Sequence, residues 1–311
     1  MLRFIKYSFL IFSVFIFCSW GFHAHRTINR NAVYLLPSEL SGFFILHIDE
    51  IEAASVNADK RRYTDTIEAC KHYIDLDLYG VSPFDSIPKN WYDAKSYFTS
   101  DTLKSRGILP WVINWEYKKL VWTMDSGSVE EVLKAAADLG HYVADACVPL
   151  HTTSNYNGQF SSQKGIHALW ESRIPESFSY NYDYYIGKSV YLENSLDFAW
   201  LLIEESNILV ESTLSIEKLV SLEFTKDDKF RLDSQNGKIV HQYTNEFISQ
   251  YNFALDSMVE RRLQRSIFAI SSLWYSAWID AGQPDLLNLK ERVGSNKMNK
   301  KRNFSLKRIH E

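Results

Sequence analysis

Nine histidines occur in the 311-residue chain, and five of them sit where a carboxylate or another imidazole lies at a spacing suited to metal ligation. In Gly140-His-Tyr-Val-Ala-Asp145 the histidine and aspartate are four apart, which places both side chains on one face of a helix. Pro149-Leu-His151 follows; the proline stops the helix, so His151 turns back over its end. His167-Ala-Leu-Trp-Glu171 is a second imidazole–carboxylate pair at the same helical interval. Upstream, Asp59 and His72 bracket a charged run, and Trp20-Gly-Phe-His-Ala-His25 adds a further imidazole. Imidazole nitrogen and carboxylate oxygen suit zinc in an open, catalytic type of site, and the cysteine–histidine spacings of structural zinc fingers are absent. One such pair on a helix is weak evidence, whereas the set together points to metal binding. The remaining histidines read differently: His23 competes with His25 as a ligand or stays outside the set, His47 packs at the surface, and His241 and His310 have no carboxylate at metal spacing.

These residues need helices to hold them. Helical periodicity covers about 26–36, 38–55, 60–73, 111–123, 128–147, 190–220, 237–262 and 264–281. The clearest is 128–147, where Ser128 and Glu131 form a capping box, apolar residues recur from Val129 to Ala144, and Pro149 ends the element. Two stretches, Leu78 to Pro110 and His151 to about Gly187, read as irregular loops long enough to be functional. Strand-like alternation is nearly absent.

Glycine and proline together number only 19, which argues against a turn-dense sandwich or barrel, and a hydrophobic content of 46% supplies ample core. The expectation is an all-α protein with one large helical domain over 20–289. Residues 290–311 hold eight basic and two acidic side chains, so the net charge of −4 divides into an acidic body and a basic tail expected to be disordered and solvated. Arg3 and Lys6 precede an apolar run from Tyr7 to Phe17 that ends at Cys18-Ser19-Trp20, the pattern of a secretory signal over 1–19. Cleavage before Trp20 exposes a free α-amine; retention of the segment leaves a membrane anchor instead. Cys70 and Cys147, each two residues from a candidate ligand, are either a disulfide or two buried thiols.

The run H-Y-x-x-D-x-x-x-P-L-H followed by H-x-x-x-E resembles the superfamily of zinc-dependent phospholipase C and single-strand-specific zinc nucleases. So do W-G-x-x-x-H, A-D-K-R-R, H-Y-I-D and the late L-W-Y-S-A-W-I-D-A-G-Q-P, in order from Trp20 to about Leu286. The resemblance implies an all-α fold around a trinuclear zinc cluster. One ion would take Asp59, His72, His141 and Asp145. A second would take the amine and carbonyl of Trp20 with His25 and Asp145, and the third would take His151, His167 and Glu171.

The chemistry implied is hydrolysis of a phosphoester by metal-activated hydroxide, with Asp59 and Asp145 catalytic and Arg62 either meeting phosphate or closing a surface salt bridge. The tight W-G-x-x-x-H spacing favours a nuclease and 3′-nucleotidase acting on single-stranded nucleic acid. Glu171, Ser172 and the interval from His151 to His167 lean toward a phospholipase C acting on phospholipid headgroups. Tyr73, Tyr92 and Tyr156 would stack on bases or line a headgroup pocket. The third possibility is an exported zinc-binding helical protein without catalysis. No stable protein partner is implied, and the expected state is a monomer.

Overall fold

The computed structural model describes residues 22–235 and 238–289, and these are mostly helical. The Trp20 ligand position, the signal over 1–19 and the tail over 290–311 lie outside the described residues. Cα packing divides the described residues into two compact units. The larger comprises His25–Ser154, Asp183–Val210 and 262–289; the smaller comprises 22–24, Asn155–Tyr182 and Glu211–Arg261. Among the described residues no helix is long and apolar enough to cross a membrane.

The larger unit is organised around the helix Val129–Ala146. Its capping box forms as the sequence predicts: Ser128 Oγ accepts from the Glu131 amide at 3.3 Å, and the Ser128 amide donates to Glu131 Oε2 at 2.9 Å. Every residue from Ala135 to Ala146 is buried, so this part of the helix is enclosed on all sides. Its small side chains let neighbours approach closely. The helices Ile48–Ala54, Leu109–Ser126 and Ser195–Asn207 pack against it, and Trp274 donates from Nε1 to the Ala136 carbonyl at 3.0 Å. The last carbonyls of a helix have no partner within it. Here Ser206 Oγ donates to the Ala146 carbonyl at 2.5 Å and Arg262 Nε to that of Cys147 at 2.9 Å.

The smaller unit holds a short helix Ile166–Ala168, a π-helical turn Leu169–Arg173, the helix Asn245–Ala254 and one antiparallel hairpin, Phe230–Gln235 with Lys238–Tyr243. Its buried carboxylate, Glu217, accepts from Gln163 Nε2 at 2.5 Å and from Lys229 Nζ at 2.6 Å. The Lys229 ammonium also lies over the rings of Phe230, Tyr243 and Phe247.

Several sequence expectations are corrected. The helix expected over 60–73 stops at Arg61: Asn57–Arg61 is helical, Asp65 Oδ1 takes the Ile67 amide into a turn, and only the 3₁₀ turn Ala69–Lys71 follows. Within the expected helix 237–262, Lys238–Tyr243 is instead a strand paired with Phe230–Gln235, where the rings of Phe230 and Tyr243 meet across the hairpin, and helix resumes at Asn245. The helix expected from 190 starts at Ser195, where the Asn194 side chain accepts from two amides; before it the chain is extended, with the Val190 and Leu192 amides donating to Ser272 and Ser276. The helix expected over 38–55 breaks at His47 into Ser38–Leu46 and Ile48–Ala54. The supposed loop from Leu78 to Pro110 carries three short helices, two of them capped by Asn90 and Thr99. Of the two alternatives for Cys70 and Cys147, the structure shows the second, buried free thiols.

One close approach fixes where the leading helix, Phe22–Val33, meets the central one. A Cβ added at Gly140 would fall 1.9 Å from Oδ1 of the buried Asn29, one helical turn from His25. Gly140→Ala must therefore displace the Asn29 side chain, which is buried and bonded to the His25 carbonyl, or the helix that carries it. We expect a loss of about 1–3 kcal/mol in urea unfolding, the usual cost of overpacking; an unchanged midpoint would contradict this packing.

Candidate metal centre

In the larger unit, four separate segments deliver side chains to one place. His141 and Asp145 project from the last two turns of the central helix, a helix end whose dipole favours cations. His25 comes from the leading helix, Asp59 from Asn57–Arg61, and His72 follows directly after the turn Ala69–Lys71. Two overlapping groups result, His25–His141–Asp145 and Asp59–His72–His141, in each of which the potential ligand atoms lie within 4.8 Å of one another.

The tautomers follow from chemistry. A carbonyl oxygen can only accept, so His141 Nδ1, 2.7 Å from the Ser55 carbonyl, carries the proton and Nε2 presents its lone pair to the cluster. That carbonyl caps the helix Ile48–Ala54, which thereby holds the imidazole in place. His141 Nε2 lies 3.1 Å from His72 Nδ1, 3.4 Å from Asp145 Oδ2 and 3.9 Å from Asp59 Oδ1. His72 Nδ1 is 2.9 Å from Asp145 Oδ2, and His25 Nε2 is 3.4 Å from Asp145 Oδ1. The rings of His25 and His141 stack at 4.1 Å, and that of His72 meets His141 edge-on. Nitrogen lone pairs and carboxylate oxygens gathered this closely, almost entirely buried, repel one another unless a proton or a cation sits among them. A divalent metal ion fits this donor set.

His151 belongs to the same unit and is oriented by the same rule. Its Nδ1 is 2.5 Å from the His72 carbonyl and so donates, while the Ile74 amide donates back to the His151 carbonyl at 2.9 Å. The two segments are thus clipped together at their ligands. His167 and Glu171 belong to the smaller unit, where His167 Nε2 lies 2.8 Å from Glu171 Oε2 and its Nδ1 3.3 Å from the Tyr156 carbonyl. The chain between them is not a regular α-helix but enters a π turn at Leu169. Such turns are rare and often found at functional positions.

Arg62 is half-exposed and lies 3.5 Å from Asp59 Oδ1, so its guanidinium reaches the rim of the cluster through that carboxylate. His23 bonds to Ser179 Oγ at 2.8 Å in the smaller unit and is not among the clustered ligands. Of the candidate aromatics, Tyr92 and Tyr156 are exposed and Tyr73 is half-buried. Sequence reasoning missed two residues behind the centre, Arg61 and Glu68. Glu68 is fully buried, yet it is bonded to Arg61, Lys71 and Tyr142. The only sequence signal for it is its place four residues before His72.

Burial opposes the charge of Asp145, but the imidazoles of His141, His151 and His72 hold its carboxyl below the ordinary aspartate value. Burial likewise depresses His141, here to about 4, and outweighs the attraction of Asp145. For His72 burial also works downward, but the hydrogen bond to Asp145 and the nearby carboxylates of Glu68 and Asp59 prevail and raise it. The signs of the linked stability follow. The His141 contribution is complete above the unfolded value of about 6.5 and is lost as pH falls toward 4. That of His72 is complete below about 6.5 and is lost as pH rises through its raised folded value.

Neither protein-family profiles nor curated proteins show a match to this chain.

In metal-free protein, ring-proton NMR should find His141 titrating near pH 4 and His72 above 6.5. A His141 that titrates at or above 6.5 contradicts the buried, carbonyl-bonded imidazole described above.

Proposed function

We propose that this chain is an exported, zinc-dependent phosphoester hydrolase of the phospholipase C and single-strand-specific nuclease type. Its substrate is single-stranded nucleic acid, which it cleaves as a nuclease and 3′-nucleotidase. The observation that carries the reading is the convergence of His25, Asp59, His72, His141 and Asp145 from four segments into two overlapping ligand groups. The ordered motifs from Trp20 to Leu286 support the superfamily, and the three residues between Gly21 and His25, with A-D-K-R-R and H-Y-I-D, support the nuclease branch.

On this reading Asp59, His72, His141 and Asp145 hold one zinc ion, and Trp20, His25 and Asp145 a second. His151, His167 and Glu171 hold a third. Zinc supplies a nucleophilic water deprotonated near neutral pH and positive charge against the phosphate oxygens. The chain's own residues do the rest. Asp145, with one oxygen toward His25 and the other toward His72 and His141, bridges the two ligand groups. Asp59 lies at the partly exposed edge of the cluster, where its carboxylate orients the attacking water and accepts its proton. Arg62 is close enough to exchange its bond with Asp59 for one to an incoming phosphate. Export is part of the same reading, because removal of 1–19 creates the Trp20 amine.

One observation favours the phospholipase C alternative. Ser172 is buried, so it is not presented to a nucleotide, and Glu171 supplies the longer carboxylate.

Purified protein assayed on single-stranded DNA, RNA, a 3′-nucleotide and phosphatidylcholine, with and without chelator, separates these readings. We expect chelator-sensitive hydrolysis of the nucleic acids and the 3′-nucleotide. Hydrolysis of phosphatidylcholine alone selects the phospholipase, and bound zinc without any hydrolysis selects the non-catalytic protein. Asp145→Ala should lose zinc and lower activity about a hundredfold or more; full activity in that variant overturns the proposal.

A further inference from the structure

We infer that Glu68 is a positioning residue for the metal centre: its buried carboxylate receives the outward N–H of His72 and so aims the opposite ring nitrogen at the metal. This rests on the metal reading of the preceding section and extends it to a residue outside the ligand set. The ring of His72 has two ends. Nδ1 faces the cluster, 2.9 Å from Asp145 Oδ2 and 3.1 Å from His141 Nε2. Nε2 faces away and lies 3.8 Å from Glu68 Oε1. An imidazole that gives its Nδ1 lone pair to a cation must carry its proton on Nε2, and about 1 Å of approach brings that proton within hydrogen-bonding range of Glu68.

The surroundings of Glu68 suit this task. A fully buried carboxylate is costly unless paired and hydrogen-bonded. Lys71 Nζ binds Oε2 at 2.6 Å, while Arg61 Nη2 at 3.1 Å and the Tyr142 hydroxyl bind Oε1. These donors fix the carboxylate and keep it charged, so it remains an acceptor toward His72. Tyr142 follows His141 on the central helix, and its ring meets His72 edge-on at 5.3 Å. Arg61 continues to Asp138 at 2.9 Å, one turn earlier on that helix. The arrangement is thus a carboxylate–histidine relay aimed at a metal, braced against the helix that carries two of the ligands. Outer partners of this kind set the orientation and basicity of a ligating imidazole.

The test compares zinc affinity, by competition with a chromophoric chelator, and folding, by circular dichroism, in the parent protein, Glu68→Gln and Asp138→Asn. Asp138 shares the ion network but does not touch His72, so its variant controls for a merely structural effect. We expect Glu68→Gln to weaken zinc binding about 10–100-fold and Asp138→Asn to keep the parent affinity. Parent affinity in Glu68→Gln overturns the role of Glu68 while leaving the metal centre standing. Equal weakening in both variants overturns it as well, since the effect then belongs to the network. A parent protein that binds no zinc overturns the metal reading itself, and this inference with it. Should Glu68→Gln fail to fold, Tyr142→Phe decides: removal of the hydroxyl that holds Glu68 should weaken zinc binding several-fold, and an unchanged affinity overturns the role.

Discussion

The crowding of acceptors around Asp145 is the constraint on which the larger unit depends. One buried carboxylate faces three imidazoles within 3.4 Å, and two imidazole nitrogens face each other at 3.1 Å. Left uncompensated, such a cluster is costly in a low-dielectric interior. The chain nevertheless builds it, fixing His141 and the neighbouring His151 from behind. His141 is tied to the Ser55 carbonyl, His151 to the His72 carbonyl, and the end of the central helix to Ser206 and Arg262. Polar groups so thoroughly anchored favour one geometry over its alternatives, a precondition for gripping a metal ion.

The small residues of the central helix serve the same end. Gly140 leaves room for the Asn29 side chain of the leading helix, the helix that carries His25, on the buried stretch that carries His141 and Asp145. Larger side chains would have given a more conventional core but kept the ligands apart. Chemistry and packing are thus written into the same eighteen residues.

How much of this was legible in the sequence depended on whether the signal was local. The central helix was, because its capping box, apolar repeat and terminating proline lie within about twenty residues. The ligands on it were legible for the same reason, through the four-residue interval between His141 and Asp145. Asp59, His72 and His25 were recognisable only by motif, since their convergence arises from tertiary contacts with no periodicity to announce them. The break after Arg61 was missed because the run looks helical by period, while the bonds of Arg61 to Asp138 and Tyr142 join residues far apart in sequence and the turn is closed by Asp65. The hairpin was missed although Asn236-Gly237, a strong turn signal, stands between its strands in the sequence. Apolar residues over 237–262 fit a helical period well enough to hide it. Glu68 left no trace beyond its spacing, because a buried carboxylate declares its role only through its neighbours.

The central claim is that the five-residue cluster of the larger unit is a metal centre. Anomalous diffraction above the zinc absorption edge, from crystals of the zinc-loaded protein, tests it most directly. The account predicts anomalous peaks bonded to His72, His141 and Asp145 and to His25, with zinc–nitrogen distances of about 2.0–2.1 Å. Crystals with zinc elsewhere on the molecule and no peak within that cluster would contradict it.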